Sequence, residues 1–296
     1  MKISTILNEA TIKVPEEAYK DLMNIVCSDL FSRIFNYLDD ATVQDNYPEL
    51  DSIYRQLAKK YTDKYGRFKI HAQQTDAMTM KGVVHVRMAE VDPRYFKNNP
   101  QAKNKTYTLG VVIGASEAPQ KVPTGEYNHK TPGRPARMVI TLPDSKHLSL
   151  IARSPELFEG MITRIEGVVQ HELMHGIQDM ALGQIKGEAE KYYTPDGELD
   201  REKYFTSDVE FSPQIVSAAN DFAAFVKEIR GVGYSVSPET VKALMLHYIN
   251  PTSPAPAGVE TDTSEFFHRL YKSNPGQWKK AVKYFYGLVQ KSNVLV

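Results

Sequence analysis

The longest helical pattern in the sequence runs from Ser154 to Leu182, and it constrains the fold more than any other segment. Ser154 is a favourable helix cap, Pro155 suits the first turn, and Gly183 ends the pattern. Apolar residues line two sides of this predicted helix, namely Val169, Leu173, Ile177 and Met180 on one side and Met161, Val168 and Met174 on the other. A helix that is apolar on more than one side is buried, so we expect other elements to pack around it.

The segments around this helix predict an α+β fold. Before it, helices are expected over 15–39 and 46–66, and short strands over 68–72, 83–88, 106–113 and 138–142. The segments 92–105 and 117–136 are rich in proline, glycine, asparagine and lysine, so we predict surface loops there. After it, helices are expected over 213–230, 238–249, 264–272 and 277–291. We therefore predict a small, mostly antiparallel sheet and a helical C-terminal part, arranged as two lobes of one domain, 1–153 and 154–296, with a cleft between them.

The charge and the cysteine content exclude several classes of protein. Lys plus Arg and Asp plus Glu both total 36, so the formal net charge is zero and general binding to nucleic acid is not expected. Cys27 is the single cysteine, so a disulfide within the chain is excluded, and we predict a small core residue there. The N-terminus lacks the apolar run of a secretory signal, and no stretch approaches the ~18 apolar residues of a membrane span. We therefore expect a soluble, cytoplasmic protein without a membrane partner, and its oligomeric state stays open.

Two histidines within the long helix indicate a metal site. His171 and His175 lie four residues apart, which places both imidazoles on one face, about 40° apart around the axis, so both can reach one ion. Glu172 points about 100° away, so it can address a metal-bound water without being a ligand. Zinc lowers the pKa of such a water toward about 7 and polarises a carbonyl oxygen, while a glutamate can move the proton. The pattern therefore predicts a zinc centre with Glu172 as general base, and Gly167, one turn before His171, is expected to leave room beside the metal.

The alternative is a core helix whose two histidines are simply solvated or hydrogen-bonded. That alternative predicts a single apolar stripe with both histidines away from it. The second apolar side argues against it, because histidines enclosed by protein need partners, which a metal ion and hydrogen-bond acceptors supply.

The residues that follow the first histidine resemble a known family. Residues 171–183 read HELMHGIQDMALG, which resembles the active-site helix of the thermolysin-like group of zincin metallopeptidases, where HELTH is followed by Asp and then Gly at corresponding steps. The resemblance implies a zincin-like fold of the gluzincin type, with His171 and His175 as zinc ligands and Glu172 as the catalytic base. It covers about thirteen residues. In its overall character the chain also resembles metallopeptidases encoded by bacteriophages, which implies a virion or host-cytoplasm setting.

A catalytic zinc ion usually has three protein ligands, so one more must come from elsewhere in the chain. The metzincin pattern requires a histidine at position 181, where this sequence has alanine. Asp179 lies one turn further along the same straight helix, so we interpret it as a supporting or capping carboxylate. Gluzincins use a glutamate from a following helix, and Glu210 is the first candidate because it lies between hydrophobic neighbours at the entry to an apolar helix. The alternatives are Glu188, Glu190 and Asp208.

The sequence thus predicts a zinc metalloendopeptidase that binds one Zn²⁺ per chain and cleaves protein or peptide substrates. One competing interpretation keeps the zincin-like scaffold and gives the zinc a purely structural or partner-binding role. Another is a protein-interaction module in which the motif arises by chance and binds no metal. Side chains that could donate a hydrogen bond to the transition state stay unassigned among Tyr192, Tyr193, Tyr204, His247 and His268.

Overall fold

The computed structural model describes residues 14–39, 47–69, 76–91, 96, 99–130, 133–182, 200, 203–204, 207–231, 233–234, 236–250, 252–253, 264–292 and 294. In this part of the chain the helices are α1 (Glu16–Leu38), α2 (Tyr47–Tyr65), α3 (Ser145–Ile151), α4 (Pro155–Leu182), α5 (Asp208–Gly231), α6 (Pro238–Ile249), α7 (Glu265–Ser273) and α8 (Pro275–Lys291). The strands are β1 (Thr79–Arg87), β2 (Thr106–Ala115), β3 (Thr124–Asn128) and β4 (Ala136–Leu142). None of the helices described here is both long and apolar enough to cross a membrane.

The four strands form one mixed sheet in the order β1-β2-β4-β3. β1 pairs antiparallel with β2, β2 pairs parallel with β4, and β4 pairs antiparallel with β3. β3 therefore forms one edge of the sheet. Helices before and after this small sheet confirm the predicted α+β class.

The helix boundaries follow capping signals in the sequence. At the start of α4, the Ser154 hydroxyl accepts a hydrogen bond from the Leu157 amide, and the helix then continues to its predicted end. α2 ends before Gly66 because this glycine adopts a φ of 99°, in the left-handed region that glycine enters without steric cost. The predicted C-terminal helices 238–249, 264–272 and 277–291 correspond to α6, α7 and α8.

Several predicted segments differ from the structure. The segment 117–136 is not only a loop, because it contains β3, a half-polar edge strand in which no residue is fully buried and the apolar alternation of a buried strand is missing. α3 is short and was not predicted, although Asp144 caps it by accepting from the His147 amide. α5 begins at Asp208 rather than at Pro213, so the proline lies inside the helix. For the predicted strand over 68–72, residues 66–69 have no regular secondary structure and the rest lies outside the described residues.

Two hydrophobic clusters form the interior of the described structure. The first lies between α1, the sheet and α4, and alternate residues of β4 are buried in it. Cys27 is buried there, as predicted. The second cluster consists mainly of apolar side chains from α5 to α8. Val216 of α5 belongs to the first cluster, so α5 contributes to both, and the division into 1–153 and 154–296 stays a prediction.

Candidate metal centre

α4 and α5 pack side by side in opposite directions, and this packing brings distant residues together. A Cβ atom on Gly160 would lie 2.8 Å from Glu228 Cγ, and one on Gly167 would lie 2.8 Å from Asn220 Cβ. Between these two contacts, the Arg164 guanidinium donates to both carboxylate oxygens of Glu228, at 3.1 and 2.9 Å. The glycines therefore allow α5 to approach α4 closely. The space beside Gly167 is occupied by Asn220 of α5, so the expectation that this glycine leaves room beside a metal is wrong.

The antiparallel packing places the first turn of α5 beside the histidine pair of α4. His171 Nε2 and His175 Nε2 lie 2.9 Å apart. Glu210 Oε2 lies 3.5 Å from His171 Nε2, and Glu210 Oε1 lies 3.3 Å from His175 Nε2. One ligand atom from each residue lies within 4.8 Å of the others, and the residues are only 8%, 9% and 5% exposed. The structure thus brings together the two histidines and the first candidate for a third ligand.

The Nδ1 atom of each imidazole faces a neighbouring polar group. His171 Nδ1 lies 3.0 Å from Ser217 Oγ, and the Pro213 backbone carbonyl also hydrogen-bonds this ring. His175 Nδ1 lies 3.2 Å from Gln178 Oε1. Because the Gln178 amide oxygen only accepts, His175 Nδ1 donates to it, and the Nε2 atoms of both rings face the common centre, where each can coordinate a metal ion once it carries no proton.

This set of donor atoms fits a divalent metal ion. The Glu210 carboxylate faces two buried imidazole nitrogens, and a cation, either a proton on His175 or a metal ion, balances its charge because burial leaves little water to screen it. Imidazole nitrogen and carboxylate oxygen are common zinc ligands, and three protein ligands leave one position for water or substrate. Burial, and then the neighbouring His175, lowers the pKa of His171 to about 4, so this ring is neutral and able to coordinate at pH 7.

The electrostatics of the three groups also favour a positive charge between them. Burial lowers the pKa of His175, but its hydrogen bond and attraction to Glu210 outweigh burial, so the pKa lies above its ordinary value. Burial raises the pKa of Glu210, but His175 and then His171 outweigh it, so this pKa lies below its ordinary value. Both shifts show that a positive charge beside the Glu210 carboxylate is favourable. A metal ion would supply that charge in place of the proton on His175.

Glu172 points away from this centre toward β3, as its place in the motif predicts. A Cβ atom on Gly125 of β3 would lie 2.7 Å from Glu172 Cγ, and the Tyr127 amide faces the Glu172 carboxylate. Burial is the main reason that the pKa of Glu172 is raised to about 7; His175 opposes this rise and Glu210 adds to it. A carboxyl group with this pKa can both take and release a proton near neutral pH.

Tyr204 is a further polar group at this centre. Its hydroxyl hydrogen-bonds to Glu210 and lies 3.5 Å from Gln214 Nε2. Burial, followed by the negative charges of Glu210 and Glu172, raises the pKa of Tyr204, so the phenol keeps its proton. The sequence left Tyr204 among five unassigned donors, because it precedes Glu210 in a polar segment where no regular spacing signals the contact.

The other described candidates are not part of this three-residue group. Asp179 Oδ2 accepts from the Tyr127 hydroxyl at 2.8 Å, so it supports β3, and the acceptor beside His175 is Gln178 instead. His247 and His268 lie on α6 and α7. The described residues do not include Glu188, Glu190, Tyr192 and Tyr193, nor the side chain of Asp208.

Comparison with known proteins does not identify this chain, since no family model, no curated protein and no solved structure matches it. Its function must therefore be inferred from the chemistry of the centre itself. The relevant observations are the three converging ligand atoms, the adjacent buried glutamate and the edge strand beside it.

Proposed function

We propose that this chain is a zinc-dependent metallopeptidase with a zincin-like fold, in which His171, His175 and Glu210 bind one Zn²⁺ ion. The observation that carries this proposal is the convergence of two Nε2 atoms and a carboxylate, all within 4.8 Å of one another, next to a further buried glutamate, Glu172. Metal-assisted hydrolysis requires such a pair of functions, a metal site and a proton carrier beside it.

The chemistry divides between the metal and the protein. Zinc bound at this centre would polarise the scissile carbonyl and lower the pKa of a water molecule. Glu172 takes the proton from the attacking water and delivers it to the leaving nitrogen, and a pKa of about 7 suits both transfers. Tyr204 keeps its phenolic proton and donates it to Glu210, so we assign this tyrosine to holding the carboxylate toward the histidines, and the donor to the carbonyl oxygen stays unassigned.

The sheet edge beside Glu172 favours an extended peptide as substrate. The Tyr127 amide faces Glu172, so the backbone groups of β3 that point away from β4 are those of Tyr127 and, two residues earlier, Gly125, and the Gly125 groups and the Tyr127 carbonyl are open to a substrate. In the described part of the chain, β4 is the only strand that pairs with β3. A peptide that adds to the other edge of β3 would place its backbone beside the proton carrier.

Zinc content and peptide cleavage, measured on one set of variants, test this proposal. The wild type is expected to bind about one zinc per chain and to cleave members of a peptide library. Glu172→Gln should keep the zinc and lower cleavage about a thousandfold, because a general base is lost. Glu210→Ala should lose both zinc and cleavage. Glu159→Gln is the matched control, because Glu159 lies on the same helix and pairs with Lys60 outside the site. Wild-type cleavage by Glu172→Gln would remove the mechanism.

A second function is favoured by the burial of the centre. His171, Glu172 and His175 are each less than 10% exposed, which also suits a zinc ion that only stabilises the fold. In that case zinc removal would lower the stability of the protein, while the zinc-loaded wild type would cleave no member of the library. Cleavage that depends on Glu172 excludes this second function.

A further inference from the structure

β3 contacts a single stripe of residues on α4. Glu172, Gly176 and Asp179 are four and three residues apart, so their side-chain positions lie along one face of the helix. The Tyr127 ring packs against Gly176, where a Cβ atom would lie 3.2 Å from Tyr127 Cε2. The Tyr127 hydroxyl then donates to Asp179 Oδ2 at 2.8 Å. The tyrosine thus lies along the stripe and is held at its far end.

The backbone of the same tyrosine holds the other end of the stripe. Its amide faces the Glu172 carboxylate, while Gly125, two residues earlier, lies against the Glu172 side chain, where a Cβ atom would lie 2.7 Å from Glu172 Cγ and 3.1 Å from its Oε1. Glu172 and Asp179 are seven residues apart, or about 10 Å along the helix axis. Tyr127 is therefore held by backbone and side chain at two separated points, and this fixes both the position and the direction of the strand.

We propose that Tyr127 and Asp179 form a positioning pair for Glu172, in which the hydrogen bond between their side chains keeps the Tyr127 amide on the catalytic carboxylate. This inference rests on the proposed function, because it gives the pair a role in catalysis. Burial, followed by the charge of Asp179, raises the pKa of Tyr127, so the phenol keeps its proton and donates near neutral pH.

Tyr107 provides a matched comparison for this role. Its hydroxyl donates to the Met180 carbonyl oxygen at 3.1 Å, one residue after Asp179. Tyr107 belongs to β2, which is separated from β3 by β4. Loss of either hydroxyl removes one hydrogen bond to the last turn of α4, but only Tyr127 also contacts the base through its amide.

Steady-state kinetics of the zinc-loaded full-length chain test the positioning role. Tyr127→Phe and Asp179→Ala are expected to lower kcat about tenfold, with KM and zinc content nearly unchanged, as is usual when a supporting hydrogen bond is removed. Asp179→Asn keeps an acceptor oxygen and should restore most of kcat. Tyr107→Phe should leave kcat at the wild-type value. Wild-type kcat in both Tyr127→Phe and Asp179→Ala would overturn the proposal.

Amide hydrogen exchange gives a second readout that does not need activity. In protein labelled with ¹⁵N-tyrosine, the Tyr127 amide is assigned by its loss in Tyr127→Phe, and it should exchange slowly in the wild type. Asp179→Ala should speed its exchange about tenfold or more, whereas Asp179→Asn and Tyr107→Phe should not. Unchanged exchange in Asp179→Ala contradicts the pair even if peptides are cleaved. A wild type without peptidase activity contradicts only the proposed function, since the exchange result still shows whether the pair holds the amide.

Discussion

At the scale of single residues, Glu172 is a carboxyl group whose surroundings favour its protonated form. It is 7% exposed, it faces the Tyr127 amide, and it lies in the field of Glu210. Burial is the largest influence, and it raises the pKa from an ordinary 4.5 to about 7. Ionisation of this group near neutral pH therefore costs folding free energy, which a bound cation would offset.

The pH dependence of stability tests this description of Glu172. Because the pKa of Glu172 is higher in the folded than in the unfolded state, this group does not change the free energy of unfolding below pH 4.5. The free energy of unfolding then falls as the pH rises from 4.5 through about 7. In metal-free protein, Glu172→Gln should therefore match the wild type near pH 4 and exceed it by about 3 kcal/mol at pH 8, at about 1.4 kcal/mol per pKa unit. Urea denaturation from pH 4 to 8 measures this difference. A difference that stays constant with pH would show that Glu172 ionises as it does in water.

Helix geometry explains which site residues are predictable from sequence. His171, Glu172 and His175 follow from spacing alone, because an α-helix fixes the relative directions of its side chains. Glu210 was predicted as the third ligand from its apolar neighbours, and the structure places its carboxylate at the histidines. Tyr204 could not be selected, since its contact with Glu210 depends on tertiary packing and not on a regular spacing in the sequence.

At the scale of elements, the close packing of α4 and α5 positions Glu210, the proposed third ligand. Gly160 and Gly167 lie seven residues apart on one face of α4, and the same face continues to His171. Side chains of α5 occupy the space that Cβ atoms would fill at both glycines. The distance between the helices, and with it the position of Glu210, therefore depends on the absence of a Cβ atom at Gly160 and at Gly167.

Gly167→Ala tests this dependence. Its Cβ atom would lie 2.8 Å from Asn220 Cβ, so α5 must shift, and we expect a loss of about 1–3 kcal/mol in unfolding free energy together with weaker zinc binding. Gly276→Ala is the control, because Gly276 lies in the first turn of α8 and its Cβ would meet only Asn274 Oδ1, at 3.5 Å. The control should be neutral or slightly stabilising. Equal stability and zinc affinity in Gly167→Ala and the wild type would refute the packing argument.

Sequence signals identified elements where local chemistry determines them. The Ser154 cap marks the start of α4, and the left-handed Gly66 marks the end of α2. The sequence predicted both of these boundaries closely. β3 was missed because an edge strand paired on one side does not need apolar alternation. The start of α5 was missed because proline favours a first turn, whereas packing of Phe211 in the second core and Glu210 at the histidines extends the helix before Pro213.

At the scale of the whole molecule, the candidate metal centre joins two hydrophobic clusters. Its histidines lie on α4, which packs in the first cluster, and Glu210 lies on α5, whose apolar residues mostly pack in the second. A metal ion bound by both helices would connect the two clusters directly. Metal binding should therefore stabilise the folded chain as well as serve chemistry.

Removal of the metal tests this link. Addition of EDTA to the zinc-loaded protein should lower the Tm, and the stabilisation should reach about 4 kcal/mol when free zinc exceeds its Kd about a thousandfold. Glu172→Gln should keep this zinc-dependent shift, whereas His171→Ala and Glu210→Ala should lose it. Calorimetry with and without EDTA measures the shift. Equal shifts in Glu210→Ala and the wild type would mean that zinc binds elsewhere.

The central claim is that His171, His175 and Glu210 bind zinc, and X-ray absorption at the zinc edge tests it most directly. For the wild type loaded with about one zinc per chain, we predict a spectrum with two imidazole ligands and a remaining shell of oxygen. Glu210→Ala should bind zinc weakly, and any zinc that it retains should show altered oxygen coordination. A wild-type spectrum without paired imidazoles, or an unchanged spectrum at full occupancy in Glu210→Ala, would contradict the claim.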